Sequence, residues 1–272
     1  MAAYFALGSP LFNLGEFGAA QALQNSVAAR TLGQELSYPY SLAGARGYAA
    51  LLHQLRRERP LTQEWAEAGL TLAHEHGFPL WFGQGTVLQG WALAEQGQSK
   101  EGITQIRQAL ATCQAIGAGM HQSYYLALLA EAYGKAGQAE DGLATLAEAL
   151  TVMDKSGEHF YEAELYRLKG KLVSQSGVRG PESENPNTQH LTLSTQAETE
   201  AEACFLKAIE IAQRQQAKSL ELRAVMGLSR LWQRQGKRAE ARQLLAEIYG
   251  WFTEGFDTKD LQEAKVWLEE LH

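Results

Sequence analysis

The sequence predicts an all-α fold, a right-handed α-solenoid of about six helix–turn–helix repeats closed by a C-terminal capping helix. Three observations predict it. First, the stretch Tyr125 to Leu150, YLALLAEAYGKAGQAEDGLATLAEAL, reads as two amphipathic helices around a tight turn. Leu126, Leu129, Ala130 and Tyr133 recur with the spacing of one helix face, and Leu143, Leu146, Ala147 and Leu150 form a second stripe. Gly137 lies between them, where a left-handed cap would sit. Second, this punctuation recurs. Gly97, Gly137 and Gly177 are forty apart, two steps of 41 lead back to Arg56 and Gly15, and a step of 59 leads on to Gly236. Third, the far ends of the units keep their own series: Gly77, Gly117 and Gly157 are forty apart, and Ala217 follows after sixty. Both series slip by about twenty residues in the same unit, so that unit carries an insertion of that length. Helix pairs repeating at about 34–47 residues indicate an α-solenoid.

The chain then divides into units 1–37, 38–77, 78–117, 118–157, 158–217 and 218–256, with the capping helix over 258–272. The first unit has a helix over about Ala3 to Leu14, interrupted by Gly8, Ser9 and Pro10. Its second helix, Gly18 to Leu36, carries Ala22, Leu23, Val27 and Leu32 on one stripe. The chain starts almost inside this repeat, so it reads as a fragment of a longer protein or as a chain with an unusual start. A bare N-terminal end of this kind is a surface for self-association. The second unit carries Leu42, Ala45, Ala49, Leu52 and Leu55. Its turn is RRERP, with Pro60 near the helix start and Thr62 a candidate cap. His74 and His76 are two apart and point to different helix faces, which argues against a metal pair.

In the third unit Trp81, Val87, Leu88, Trp91 and Leu93 are apolar, while Gly83, Gly85 and Gly90 each cost a helix about 1 kcal/mol against Ala. Glycine there admits a neighbouring helix or a ligand. The fifth unit has a first helix over Phe160 to Gln175. A polar stretch over 177–196 follows and reads as a flexible insertion, with the second helix resuming at about Gln196. The sixth unit pairs Ser219–Gln235 with Arg238–Phe252. In the capping helix Thr258 or Asp257 can cap, and Asp260 and Glu263 suit the first turn of a helix.

Composition narrows the function classes. The 272 residues carry a formal net charge of −7, which argues against a general nucleic-acid binder. No run of apolar residues is long enough to span a membrane, and the N-terminus lacks the basic and apolar regions of a signal peptide. A cytoplasmic location is expected. The cysteines, Cys113 and Cys204, are 91 apart and form no C-x-x-C pair, so reduced buried thiols are expected. There is no phosphate-binding G-x-x-x-x-G-K-[ST], no G-x-S-x-G, no H-E-x-x-H and no dinucleotide fingerprint. No enzyme activity, cofactor or metal is expected.

With Gly137 at the inter-helix turn, the pattern Leu126, Leu129, Ala130, Tyr133, Gly142 and Ala149 resembles the tetratricopeptide repeat, with a period near forty in place of that family's 34. A closer resemblance runs over most of the chain. LFNLGEF, LLHQLRRE, FPLWFGQGTVLQGWALAEQGQ, YYLALLAEAYGKAGQ, FYEAELYRLKGKL, AEACFLKAIEIA, QQAKSLELRAVMGLSRLWQRQGK and IYGWFTEGFDTKDLQEAK are similar to the C-terminal repeat region of large bacterial signalling ATPases, often linked to adenylate or guanylate cyclase domains. That resemblance implies a regulatory or scaffolding segment whose partner is a protein or peptide, including the ATPase or cyclase part of the same polypeptide.

In tetratricopeptide repeats the first helix of each pair lines the concave surface, which would place Trp91, Tyr124, Lys135, Arg167, Lys171, Arg223, Arg230 and Arg234 there. The later members are basic in a net acidic chain. They suit an acidic peptide, a carboxylate terminus or a phosphorylated partner, unless Glu164, Glu221 and nearby acids neutralise them. The alternative is a small-molecule sensor with its ligand near Trp81, Trp91 and Tyr124. A deep apolar pocket would favour the sensor, and an open basic groove the docking module.

Overall fold

The computed structural model describes residues 18–176 and 188–271, and over them it is a solenoid of twelve helices without a strand. A single outer helix comes first, α1 (Gly18–Glu35). Pairs follow: α2 (Pro39–Leu55) with α3 (Arg59–His76), α4 (Pro79–Glu95) with α5 (Ser99–Ala115), and α6 (Gln122–Lys135) with α7 (Ala139–Ser156). Next come α8 (Glu162–Ser176) with α9 (Thr188–Arg214), α10 (Lys218–Arg234) with α11 (Arg238–Tyr249), and last α12 (Lys259–Glu270). The expected helix at Ala3–Leu14, the turn at Gly15 and the bare N-terminal end lie outside the described residues, as does 177–187 of the insertion. The second helix of that unit begins at Thr188, not near Gln196.

Each helix packs on its partner, and the first helices also form an inner row in which α2 touches α4, α4 touches α6, α6 touches α8 and α8 touches α10. The core is accordingly a band along the solenoid. One stretch runs from Ala22 through Leu52, Leu88, Trp91, Tyr124 and Leu146 to Leu172. A second runs from Val173 through Phe205, Leu228 and Leu245 to Leu271. Cys113 and Cys204 are both buried and unbonded.

The turns explain the period. Gly97, Gly137 and Gly236 take positive φ between the two helices of their units, and so does Arg57, forty residues before Gly97. The matching residue is therefore Arg57 and not its neighbour Arg56. At the far ends Gly77, Gly117 and Gly157 are joined by Ser37 and Gln216, again with positive φ. Gln216, not Ala217, is the left-handed residue, and it stands 59 after Gly157.

The helical glycines of the third unit admit neighbouring helices. A Cβ on Gly85 would come 2.8 Å from Leu70 of α3, and one on Gly90 would come 2.7 Å from Ile106 of α5. The tightest approach is at Gly102, where a Cβ would lie 2.4 Å from the Gly90 carbonyl oxygen. Backbone cannot step aside as a side-chain tip does, so α4 and α5 would have to separate. Gly102→Ala should therefore destabilise the chain by about 1–3 kcal/mol, the usual range for overpacking. Gly119→Ala, with nothing within 4 Å of its Cβ, should be near neutral. Urea denaturation of the two variants beside the parent measures the difference, and equal midpoints would contradict it.

Candidate functional site

The inner row lines a half-open cavity of about 760 Å³. Its walls come from one face of α8 (Glu164, Arg167, Lys171), one face of α10 (Arg223, Arg230, Arg234) and the first helix of the fourth unit (Glu131). Phe205, Met226 and Trp267 add an apolar side, and Arg57, Asp260 and Glu263 complete the lining from the two ends of the solenoid.

Those ends meet across the cavity. Arg57 sits in the α2–α3 turn, and its guanidinium donates to Asp260 at 3.0 Å and to Glu263 at 3.3 Å, both on α12. Arg223 of α10 donates to the other oxygen of Asp260 at 2.7 Å and also to the carbonyl of Leu55, at the end of α2. Beside them Arg56 binds Glu58 at 2.8 Å and Asp257 at 2.9 Å. No helix packing joins α2 or α3 to α12, so side chains alone carry the closure.

Asp260 is 4 % exposed and Arg223 is 6 % exposed. Burial by itself would raise the Asp260 pKa, but Arg223 and Arg57 reverse the effect and hold it below the usual carboxylate range. Burial likewise opposes the charge on Arg57, and Asp260, Glu263 and Glu131 raise its pKa all the same. Truncating one partner of such a network strands a buried charge, a loss of about 3–5 kcal/mol.

Glu131 lies on the cavity floor and accepts a hydrogen bond from the Trp91 indole at 2.9 Å. Its burial favours the neutral acid. Lys171, Arg167, Lys135 and Arg57 outweigh that and hold its pKa at about 2. Arg167 is clamped on Glu164 by two hydrogen bonds of 2.7 Å, and Arg230 faces Glu263 at 3.7 Å.

Of the eight residues expected on the concave surface, Arg167, Lys171, Arg223, Arg230 and Arg234 line this cavity. Trp91 and Tyr124 do not. They are 2 % and 0 % exposed and belong to the core, where the Tyr124 hydroxyl donates to Gln54 at 2.6 Å. Lys135 pairs with Glu95 at 3.0 Å, away from the lining. Trp81 is also buried, in a small cluster with Ala43 and Ala73. The alternative ligand site near Trp81, Trp91 and Tyr124 is thus filled by packing.

Arg223 is a structural cation, whereas Arg230 and Arg234 are exposed. Arg57, Asp260, Glu263 and Trp267 had no signal as site residues in the sequence, apart from an arginine standing in a glycine series. Thr258 sits at the α12 N-cap, but its hydroxyl donates to the Gly255 carbonyl and does not cap. Among the described residues no group of three His, Cys, Asp or Glu is placed to hold a metal ion, and no helix is long and apolar enough to cross a membrane.

No family model matches the sequence, and no curated protein matches it. Solved structures do. The apo form of RapI aligns over 99 % of this chain and 96 % of its own at 12 % identity, with a TM-score of 0.54. Aspartyl phosphate phosphatase F from Bacillus subtilis aligns over 98 % of this chain and 68 % of its own at 14 % identity, also with a TM-score of 0.54. At these identities the likeness is one of fold. The chain has the architecture of a tetratricopeptide-like helical-repeat solenoid.

Two predictions follow from the charged closure. Arg57 and Gln216 share a left-handed backbone, with φ of 59° and 55°. Glycine relieves that conformation by about 1–2 kcal/mol per residue, less its own chain entropy. Gln216→Gly should stabilise the chain by up to about 1 kcal/mol, while Arg57→Gly should destabilise it by about 2–3 kcal/mol, because Asp260 and Glu263 each lose one of their two arginines. Chemical denaturation reads both, and two shifts of the same sign would refute the assignment.

The second concerns acid. The pKa of Glu131 is depressed in the folded chain, so its contribution is complete above the unfolded value of about 4.3 and disappears as pH falls toward about 2. Glu131→Gln should be less stable than the parent at neutral pH and should lose less stability between those limits. Parallel denaturation curves over that range would show that Glu131 is not ion-stabilised.

Proposed function

We propose that the chain is a non-enzymatic regulatory module that binds a peptide segment of a protein partner in the cavity lined by its inner helices. One observation carries this reading. The cavity is lined by six cations against four carboxylates in a chain whose net charge is −7. Positive charge has been gathered on one concave surface, which complements an acidic segment or a carboxylate terminus and steers its approach. The resemblance to the repeat regions of bacterial signalling ATPases supports a partner in the same polypeptide or signalling complex and a cytoplasmic setting.

A second reading has its own support. A volume of about 760 Å³ is that of a small-molecule pocket, and Phe205, Met226 and Trp267 give it an apolar wall. A sensor would bind its ligand there, and not at Trp81, Trp91 and Tyr124.

The test uses Arg230 and Arg234, which are exposed and lie outside the buried part of the network. Selection of a displayed heptapeptide library with free C-termini on the whole chain should enrich related acidic sequences. Calorimetry on a selected peptide should then show Arg230→Glu with Arg234→Glu weakening it by at least about tenfold. No enriched sequence family, or affinity unchanged in the double variant, would overturn the peptide reading. A small molecule retained by the purified chain in native mass spectrometry and released from the double variant would favour the sensor.

A further inference from the structure

The charges of the cavity are unevenly matched. Arg57 and Arg223 share Asp260. Arg167 holds Glu164, and Arg230 faces Glu263. Each of those carboxylates is engaged, and the remaining one, Glu131, is bonded to the Trp91 indole. Lys171 and Arg234 also line the cavity, and neither has a carboxylate within the 4 Å of an ion pair among the described residues.

Lys171 is the unusual one of the two. Its side chain is half-buried, one helical turn from Arg167 on the same face of α8. Burial lowers its pKa, Glu131 offsets part of this, and Arg167, Lys135 and Arg57 lower it further. Arg57, Arg167, Arg223 and Arg230 each reach at least one carboxylate, shared or not, because a buried cation without one is unfavourable.

The neighbours of Lys171 are suited to a ligand oxygen. Gln175 on α8 and Gln233 on α10 line the same cavity and can donate hydrogen bonds, whereas the Ser174 hydroxyl beside them already donates to the Gly170 carbonyl. The Gln175 side-chain oxygen is buried without a partner, so only the amide nitrogen of that residue can serve an oxyanion. Phe205, which packs against Gly170 beside Lys171 and against Gly227 of α10, lines the same cavity with Met226 and Trp267.

We infer that Lys171 and Arg234 form an oxyanion-recognition site, which takes a carboxylate or phosphate group whose apolar body lies against Phe205, Met226 and Trp267. This rests on the cavity being the binding site, as proposed above, and names the chemistry it reads. A carboxylate would complete the charge pattern that the four protein carboxylates leave two short. Charge-assisted hydrogen bonds to Lys171 and Arg234 would discriminate it from its neutral amide. The same chemistry is offered by the free C-terminus of a peptide and by a free organic acid.

The experiment is calorimetry on the whole chain, in chloride-balanced buffer, with two pairs of probes. One pair is 4-phenylbutyrate and 4-phenylbutyramide. The other is a library-selected peptide with its C-terminus free and amidated. The expected result is saturable binding in which at least one acid binds about tenfold or more tightly than its amide. Lys171→Met and, separately, Arg234→Gln should abolish that preference, so that each acid binds no more tightly than its amide. Lys207→Met, an exposed lysine paired with Glu210 outside the cavity, should leave both alone. A preference confined to the peptide pair assigns the site to a chain terminus, and one confined to phenylbutyrate assigns it to a free acid.

The inference is overturned if neither acid binds more tightly than its amide, or if the preference survives in Lys171→Met with the fold intact by circular dichroism. Peptide binding that persists without an acid preference would retain the docking module and remove the oxyanion site. Absence of any peptide binding would remove the docking reading, while a phenylbutyrate preference lost in Lys171→Met would still support the site.

Discussion

Asp260 holds two arginines from opposite ends of the chain, Arg57 and Arg223, at 3.0 and 2.7 Å. The shape of the rest depends on that arrangement. A solenoid is stabilised by contacts between neighbouring repeats, and nothing in such contacts requires its first turn to meet its last helix. Here 203 residues separate Arg57 from Asp260. The curvature accumulated over the inner row brings them within reach, and charge, not packing, joins them. A closure of this kind is specific in geometry. It is also conditional, since it persists only while the carboxylates remain ionised and each partner is present.

Close helix approach sets the curvature. Gly90 and Gly102 bring α4 and α5 backbone to backbone, and Gly85 lets α4 settle on Leu70 of α3. Large side chains, such as Trp91 and Tyr124, fill the core along the inner row. The same side chains reach inward as supports. The Trp91 indole fixes Glu131, and Tyr124 fixes Gln54, which lines the cavity. The aromatic residues that resemble a ligand platform in the sequence therefore hold the cavity wall from behind.

Most of the architecture was legible because it is periodic. Two independent series of turn residues with one shared slip locate the helix pairs, and apolar stripes orient them. What was not legible is aperiodic. Arg57 and Gln216 take a glycine-like conformation without being glycine, so the series appeared to pass through Arg56 and Ala217. Residues 188–196 show no clear apolar stripe, yet α9 begins at Thr188 and is anchored further on by Ala201, Phe205 and Ala208. Asp260 and Glu263 looked like ordinary charges at a helix start. Their role appears only when the second unit is brought beside α12, and one-dimensional patterning holds no record of that approach.

The closure and the cavity are electrostatically one system. Glu131 is held ionised by Lys171, Arg167, Lys135 and Arg57, and Arg57 is in turn the cation that grips α12. Negative charge brought near Lys171 would compete with Glu131 for the same cations, Arg57 among them. Because α12 and the α2–α3 turn are joined only by side chains, releasing them requires no helix to unfold. If the cavity binds as proposed, that coupling is a physical means of converting occupancy into a change of shape.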